Sequence, residues 1–90
     1  MRWVSVDMKG IVELIGPRHG MIGVRTENDD YSVLELLGGY FLELGDTLVG
    51  ELDSLGGVEV ENITQEELWD VYIQDIYASK QSAWNLISKH

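Results

Sequence analysis

Ten glycines and a single proline cut the 90 residues into short apolar runs, and this spacing constrains the fold more than any other feature. Glycine favours tight and left-handed backbone, so its recurrence leaves room for strands but not for long helices. Val4 to Ile15 is rich in β-branched residues, and Gly16-Pro17-Arg18-His19-Gly20 then reads as a turn. Met21 to Thr26 reads as a second strand, Glu27-Asn28-Asp29-Asp30 as a polar hairpin tip, and Tyr31 to Leu37 as a third strand. Gly38-Gly39 ends it, and a loop from Tyr40 to Asp46 leads to strands at Thr47 to Leu52 and Val58 to Ile63. Short strands with turns about every 8–12 residues point to an antiparallel barrel or sandwich.

The C-terminal third has two readings. Thr64-Gln65-Glu66-Glu67 has the form of a helix capping box. Trp69, Val71 and Ile73, however, alternate with Asp70, Tyr72 and Gln74, and this period of two favours a strand at 68–76. Ser79 can then cap a helix to about Lys89, with Ala83, Trp84, Leu86 and Ile87 as its apolar face. The expected fold is mainly β: a small antiparallel OB-like barrel over residues 1–78, with a packed C-terminal helix at 79–90.

The first half resembles the cold-shock domain. That family's pattern runs K-G-x-V-K-W-F-N, K-G-F-G-F-I and D-V-F-V-H. Lys9-Gly10-Ile11-Val12-Glu13-Leu14-Ile15-Gly16 covers the first motif and His19-Gly20-Met21-Ile22-Gly23-Val24 the second. Gly10 and Gly20, the glycines of the two motifs, keep the family's spacing. Asp30-Tyr31-Ser32-Val33-Leu34 lies where the third would be, Leu44-Gly45-Asp46 looks like the turn before the fourth strand, and Val60-Glu61-Asn62-Ile63 like the A-x-N-V ending.

The resemblance implies a five-stranded OB-type barrel over about residues 9–64 and, in the family, single-strand binding by stacked aromatics beside basic side chains. Here the family's first-strand Lys, Trp and Phe are Glu13, Leu14 and Ile15. Its second-strand phenylalanines fall at Met21 and Gly23, and its third-strand Phe and His at Ser32 and Leu34. A stacked base contributes about 1–3 kcal/mol, so loss of these rings removes the family's means of binding. Apolar Leu14, Met21 and Leu34 on a formerly wet face imply a cover. That cover is either the chain's own C-terminal helix, led by Trp84, or another protein.

Charge sharpens the point. The formal charge is −10, yet residues 1–26 carry four cations against two acids, and residues 27–75 hold 14 acids and no Lys or Arg. Most of the surface should repel phosphate. An acidic, solvated surface is the plain reading, and a basic partner the sharper one. Lys9, Arg18 and Arg25, with His19, remain as a nucleic-acid patch.

Catalytic signatures are weak. The two histidines sit in the Gly-Pro turn and at residue 90, no G-x-S-x-G is present, and Gly16 to Gly23 lacks the Lys and helix of a phosphate loop. Glu27, Asp29 and Asp30 fit a hairpin tip better than a cation site. With no cysteine there is no disulfide or thiolate chemistry, and no cofactor or metal is expected. Trp3, Trp69, Trp84, Tyr31, Tyr72 and Tyr77 fall on apolar positions and are expected to pack. Tyr40 and Phe41, in the loop between the third and fourth strands, form a candidate protein-binding anchor. The longest uncharged run is eight residues, Gln81 to Ser88, too short to span a membrane. Asp7 interrupts any apolar leader, so a cytoplasmic protein is expected.

The functional expectation is a protein-interaction or accessory module using Tyr40, Phe41, Leu14, Met21 and Leu34. The alternative is a weak single-stranded nucleic-acid binder through Lys9, Arg18 and Arg25. A third is a small-ligand binder or enzyme at the barrel mouth.

Overall fold

A computed structural model of the chain describes residues 7–18 and 20–89; the expectations for Trp3, Val4 to Val6, His19 and His90 lie outside them. Six strands and one helix follow in chain order: β1 (Met8–Ile15), β2 (Met21–Thr26), β3 (Tyr31–Leu36), β4 (Thr47–Gly50), β5 (Gly56–Asn62), β6 (Glu67–Ala78) and α1 (Lys80–Ile87). The fold is mainly β, a closed barrel in the order β1-β2-β3-β6-β5-β4, with every neighbouring pair antiparallel. It is consistent with an OB-like fold. An OB barrel has five strands and stays partly open; here the 12-residue β6 pairs with β3 on one side and β5 on the other.

Alternation along the strands fills the interior. Val12, Ile22, Val24, Leu34, Leu48, Val60, Trp69, Val71 and Ile73 form one buried cluster, with Leu52 entering just past β4. Gly10 permits this crowding, since a β-carbon there would strike Val24 and Leu52. The fourth strand stops at Gly50 rather than Leu52. Leu52 turns inward, and its carbonyl accepts a hydrogen bond from the buried Ser32 hydroxyl at 2.6 Å. The segment 64–66 is a turn, and the capping-box reading gives way to the alternating strand that follows.

A second cluster lies outside the barrel. Ser79 caps α1 by accepting the Ser82 N–H at 3.1 Å, and the helix then lies over β2, β3 and β6. Ala83 and Ile87 are buried against Met21, Tyr31, Val33 and Ala78, with Leu14 and Leu86 packed alongside. Trp84 does not lead this contact; it is 40% exposed. Tyr72 and Tyr77 are likewise exposed, so these three aromatics lie at the rim or surface rather than in the core. Tyr77 has φ 54, one of three non-glycine residues in left-handed backbone, at the irregular end of β6 where the chain turns into the helix.

Gly23 sets how closely the helix approaches. A β-carbon there would lie 2.9 Å from Leu14 Cδ1 and 3.0 Å from Ile87 Cδ1. At Gly57, on the outer face of β5, it would meet nothing within 4 Å. Overpacking a tight site costs about 1–3 kcal/mol. Gly23→Val should therefore lower the unfolding free energy in urea by about 1–3 kcal/mol, and Gly57→Val should leave it unchanged or raise it. Equal losses would show that α1 does not seat on Gly23.

Candidate functional site: the outer face of the first three strands

The outer face of β1, β2 and β3 carries Leu14, Met21 and Arg25 of the candidate residues. Strand pairing places Leu14 beside Gly23 and Gly23 beside Val33, while Ile11, Arg25 and Tyr31 form the next outward row. Met21 is 5% exposed and Leu14 half-buried, both under α1. Leu34 is fully buried inside the barrel, beside Ile22 and Ile73. This corrects the register expected on the third strand: Ser32 and Leu34 point inward, and Tyr31 and Val33 outward. A one-residue slip exchanges the two faces of a strand. Leu34 and Met21 are thereby removed as exposed protein contacts, and the cover over Leu14 and Met21 is the chain's own helix, anchored by Ile87.

Lys9 and Arg25 line one cleft together with Glu27, while Arg18 lies in the turn after β1. Arg25 Nε donates to Glu13 Oε2 at 2.5 Å, and Arg25 Nη1 lies 3.8 Å from Asp29. The Tyr31 hydroxyl donates to the other Glu13 oxygen at 2.6 Å. Glu13, at the family's lysine position, thus neutralises the cation that was to contact phosphate. Lys9 and Arg18 are exposed on β1 and in the following turn, and neither enters an ion pair among the described residues. Compared with known proteins, the chain matches no family model, no curated protein and no solved structure.

Tyr40 and Phe41 part company. Tyr40 stacks on Trp69 with ring centroids 5.3 Å apart and planes inclined 16°, and its hydroxyl oxygen accepts the Asp70 N–H at 2.8 Å. It packs partly buried against the barrel core and anchors the loop. Phe41 is 71% exposed and remains a candidate contact. Beside this loop, a cleft of about 470 Å³ is lined by Ile15, Gly20, Ile22, Leu36, Leu37, Gly38, Gly39, Tyr40 and Leu42. Among the described residues, Tyr40 is the one polar side chain in that lining.

A buried polar knot escaped the sequence reading. Asp46 is 2% exposed, and its carboxylate accepts from Asn62 Nδ2 at 2.9 Å, from the Glu43 N–H at 3.0 Å and from Gln65 Nε2 at 3.2 Å. These donors tie the loop before β4 to the β5–β6 turn, which satisfies the carboxylate without a cation. Among the described residues, no three His, Cys, Asp or Glu side chains are placed to hold a metal ion. No helix among them is long and apolar enough to cross a membrane.

Hydrogen bonds from Tyr31 and Arg25 hold the Glu13 carboxyl below the usual carboxylate range, against a smaller opposing effect of burial. Burial, with the bond to Glu13, pushes the Tyr31 phenol up to about 12. A depressed carboxyl contributes stability that is present above its unfolded pKa and lost as pH falls through the folded value. A raised phenol contributes stability that is present below its unfolded value and lost as pH rises towards 12. Glu13→Gln should therefore flatten the acid limb of the stability–pH curve below the ordinary glutamate range, measured by urea unfolding at graded pH. An acid limb identical to wild type would show that the network does not form.

Proposed function

We propose that the chain is a small acidic protein-interaction or accessory module that keeps a cold-shock-like scaffold without its nucleic-acid activity. The observation carrying this reading is α1 seated on the outer face of β1–β3, with Ile87 against Gly23 where the family carries a ring. A stacked base and Ile87 cannot occupy the same space. Arg25 is engaged by Glu13, which leaves Lys9 and Arg18 as isolated cations on a chain of charge −10. Such contacts supply only a weak, salt-dependent attraction.

Phe41 is the contact that favours a protein. Aromatic side chains dominate interface hot spots, and truncating one typically costs about 2 kcal/mol or more, about 30-fold in affinity. Its ring is exposed although its neighbour Tyr40 packs inward, so the loop is held rigid behind it. Preorganisation of this kind lowers the entropic cost of binding.

The immobilised chain should retain a discrete set of proteins from a cell extract, and Phe41→Ser should reduce that retention by about 30-fold. The substitution should leave stability within about 0.5 kcal/mol, as expected at an exposed site. In parallel, a mixed single-stranded oligonucleotide at low salt should not shift the amides of Leu14, Met21 or Val33. Retention indifferent to Phe41, together with salt-sensitive oligonucleotide shifts at Lys9 and Arg18, would overturn the reading in favour of nucleic acid.

A further inference from the structure

Among the described residues, the outer face of β5 and β6 interleaves apolar side chains and carboxylates with nothing packed on them. Strand pairing sets out three outward rows. Glu61 stands beside Leu68, Glu59 beside Asp70, and Gly57 beside Tyr72, which pairs on its other side with Glu35. The middle row continues through Leu37, whose N–H donates to the Asp70 carbonyl at 2.9 Å. Leu37, Leu68 and Tyr72 are 56%, 60% and 45% exposed. Gly57 leaves the sheet bare between them, and the resulting groove, about 440 Å³, is lined by Leu37, Glu59 and Asp70 among others.

Two features of this face lack a structural rationale. Glu59 and Asp70 are directly opposed across antiparallel strands, an arrangement that destabilises a sheet. Both ion pairs among the described residues involve Arg25 on β2, so no cation among those residues answers these acids. Three large apolar side chains stand in water close to them. A cationic, partly apolar partner satisfies both features together. Glu59 and Glu61, two residues apart on one face, are about 7 Å apart along the strand, the repeat at which an extended peptide presents its own alternate side chains.

We propose, building on the protein-interaction reading, that the outer face of β5–β6 binds an extended Arg- or Lys-rich segment of a partner protein. Its cations sit over Glu59, Glu61 and Asp70, and its intervening apolar side chains cover Leu37, Leu68 and Tyr72. Arginine fits best, since its guanidinium can also stack on the Tyr72 ring. The segment lies across the side chains that project from this face. A second copy of the chain is a poor occupant, as it would set the same carboxylates against one another, and a phosphate backbone is repelled for the same reason.

The test uses a ten-residue peptide of alternating arginine and leucine, titrated into the ¹⁵N-labelled chain, with a glutamate–leucine peptide as control. Amide shifts should centre on Gly57, Glu59, Asp70 and Tyr72 with the basic peptide and be absent with the acidic one. The double variant Glu59→Gln/Asp70→Asn should weaken binding at least tenfold while unfolding no earlier than wild type, because it removes a repulsion. Gly57→Val, which fills the groove floor, should weaken it as well. The charge-matched double variant Glu27→Gln/Asp29→Asn, at the β2–β3 hairpin tip, should alter it less than threefold. Equal weakening by both double variants, or shifts centred elsewhere, would overturn the proposal. Should the peptide miss this face while Phe41-dependent protein retention persists, the surface assignment fails and the interaction reading stands. Absence of any protein retention, with salt-sensitive oligonucleotide shifts at Lys9 and Arg18, would sink the interaction reading itself.

Discussion

Pairing of β6 with two strands at once is the constraint from which the rest of the molecule follows. By hydrogen-bonding to β5 through residues 67–73 and to β3 through residues 71–78, it closes the barrel. It also fixes where the chain emerges. The irregular pairing at its end, with Tyr77 in left-handed backbone, turns the chain so that α1 falls across β2 and β3. Without that strand, the helix would have no defined landing place. The covered ligand face is therefore a consequence of topology as much as of the residues lost from it.

The helix and the charge network then reinforce each other. Ile87 fills the space left by Gly23, while Glu13, Arg25 and Tyr31 knit β1, β2 and β3 together beside it. A face that in the resembling family is wet and aromatic becomes a second small core. A small barrel buries a limited fraction of its surface, so this extra apolar contact matters more than it would in a larger domain. The outer face of β1–β3 is thus taken up by packing, which leaves the Phe41 loop and the β5–β6 face exposed.

Local features were legible in the sequence and non-local ones were not. Alternation at Trp69, Val71 and Ile73 disclosed β6 despite the capping-box residues before it, because period-two burial outweighs a cap without an apolar helix behind it. Ser79 marked the helix start. The third-strand register was misread by one residue, since Tyr31-Ser32-Val33-Leu34 is apolar on both faces of the alternation and one of those faces is buried by α1. The pairing of Glu13 with Arg25, which was expected to join a basic patch, was not legible because it depends on strand pairing across a 12-residue separation. Asp46 carried no visible sign of burial; its partners Asn62 and Gln65 are also distant in the chain. Tyr40 and Phe41 looked equivalent, and only the stack on Trp69 separates them.

The account turns on whether α1 occupies the face formed by Leu14, Gly23 and Val33 in solution. Methyl-resolved NOE spectra of the full chain address this directly. Cross-peaks from the Ile87 δ1 methyl to the Gly23 α-protons and the Leu14 methyls are expected, unchanged when a single-stranded oligonucleotide is added at low salt. Absence of those cross-peaks, or their disappearance on addition of the oligonucleotide, would contradict it.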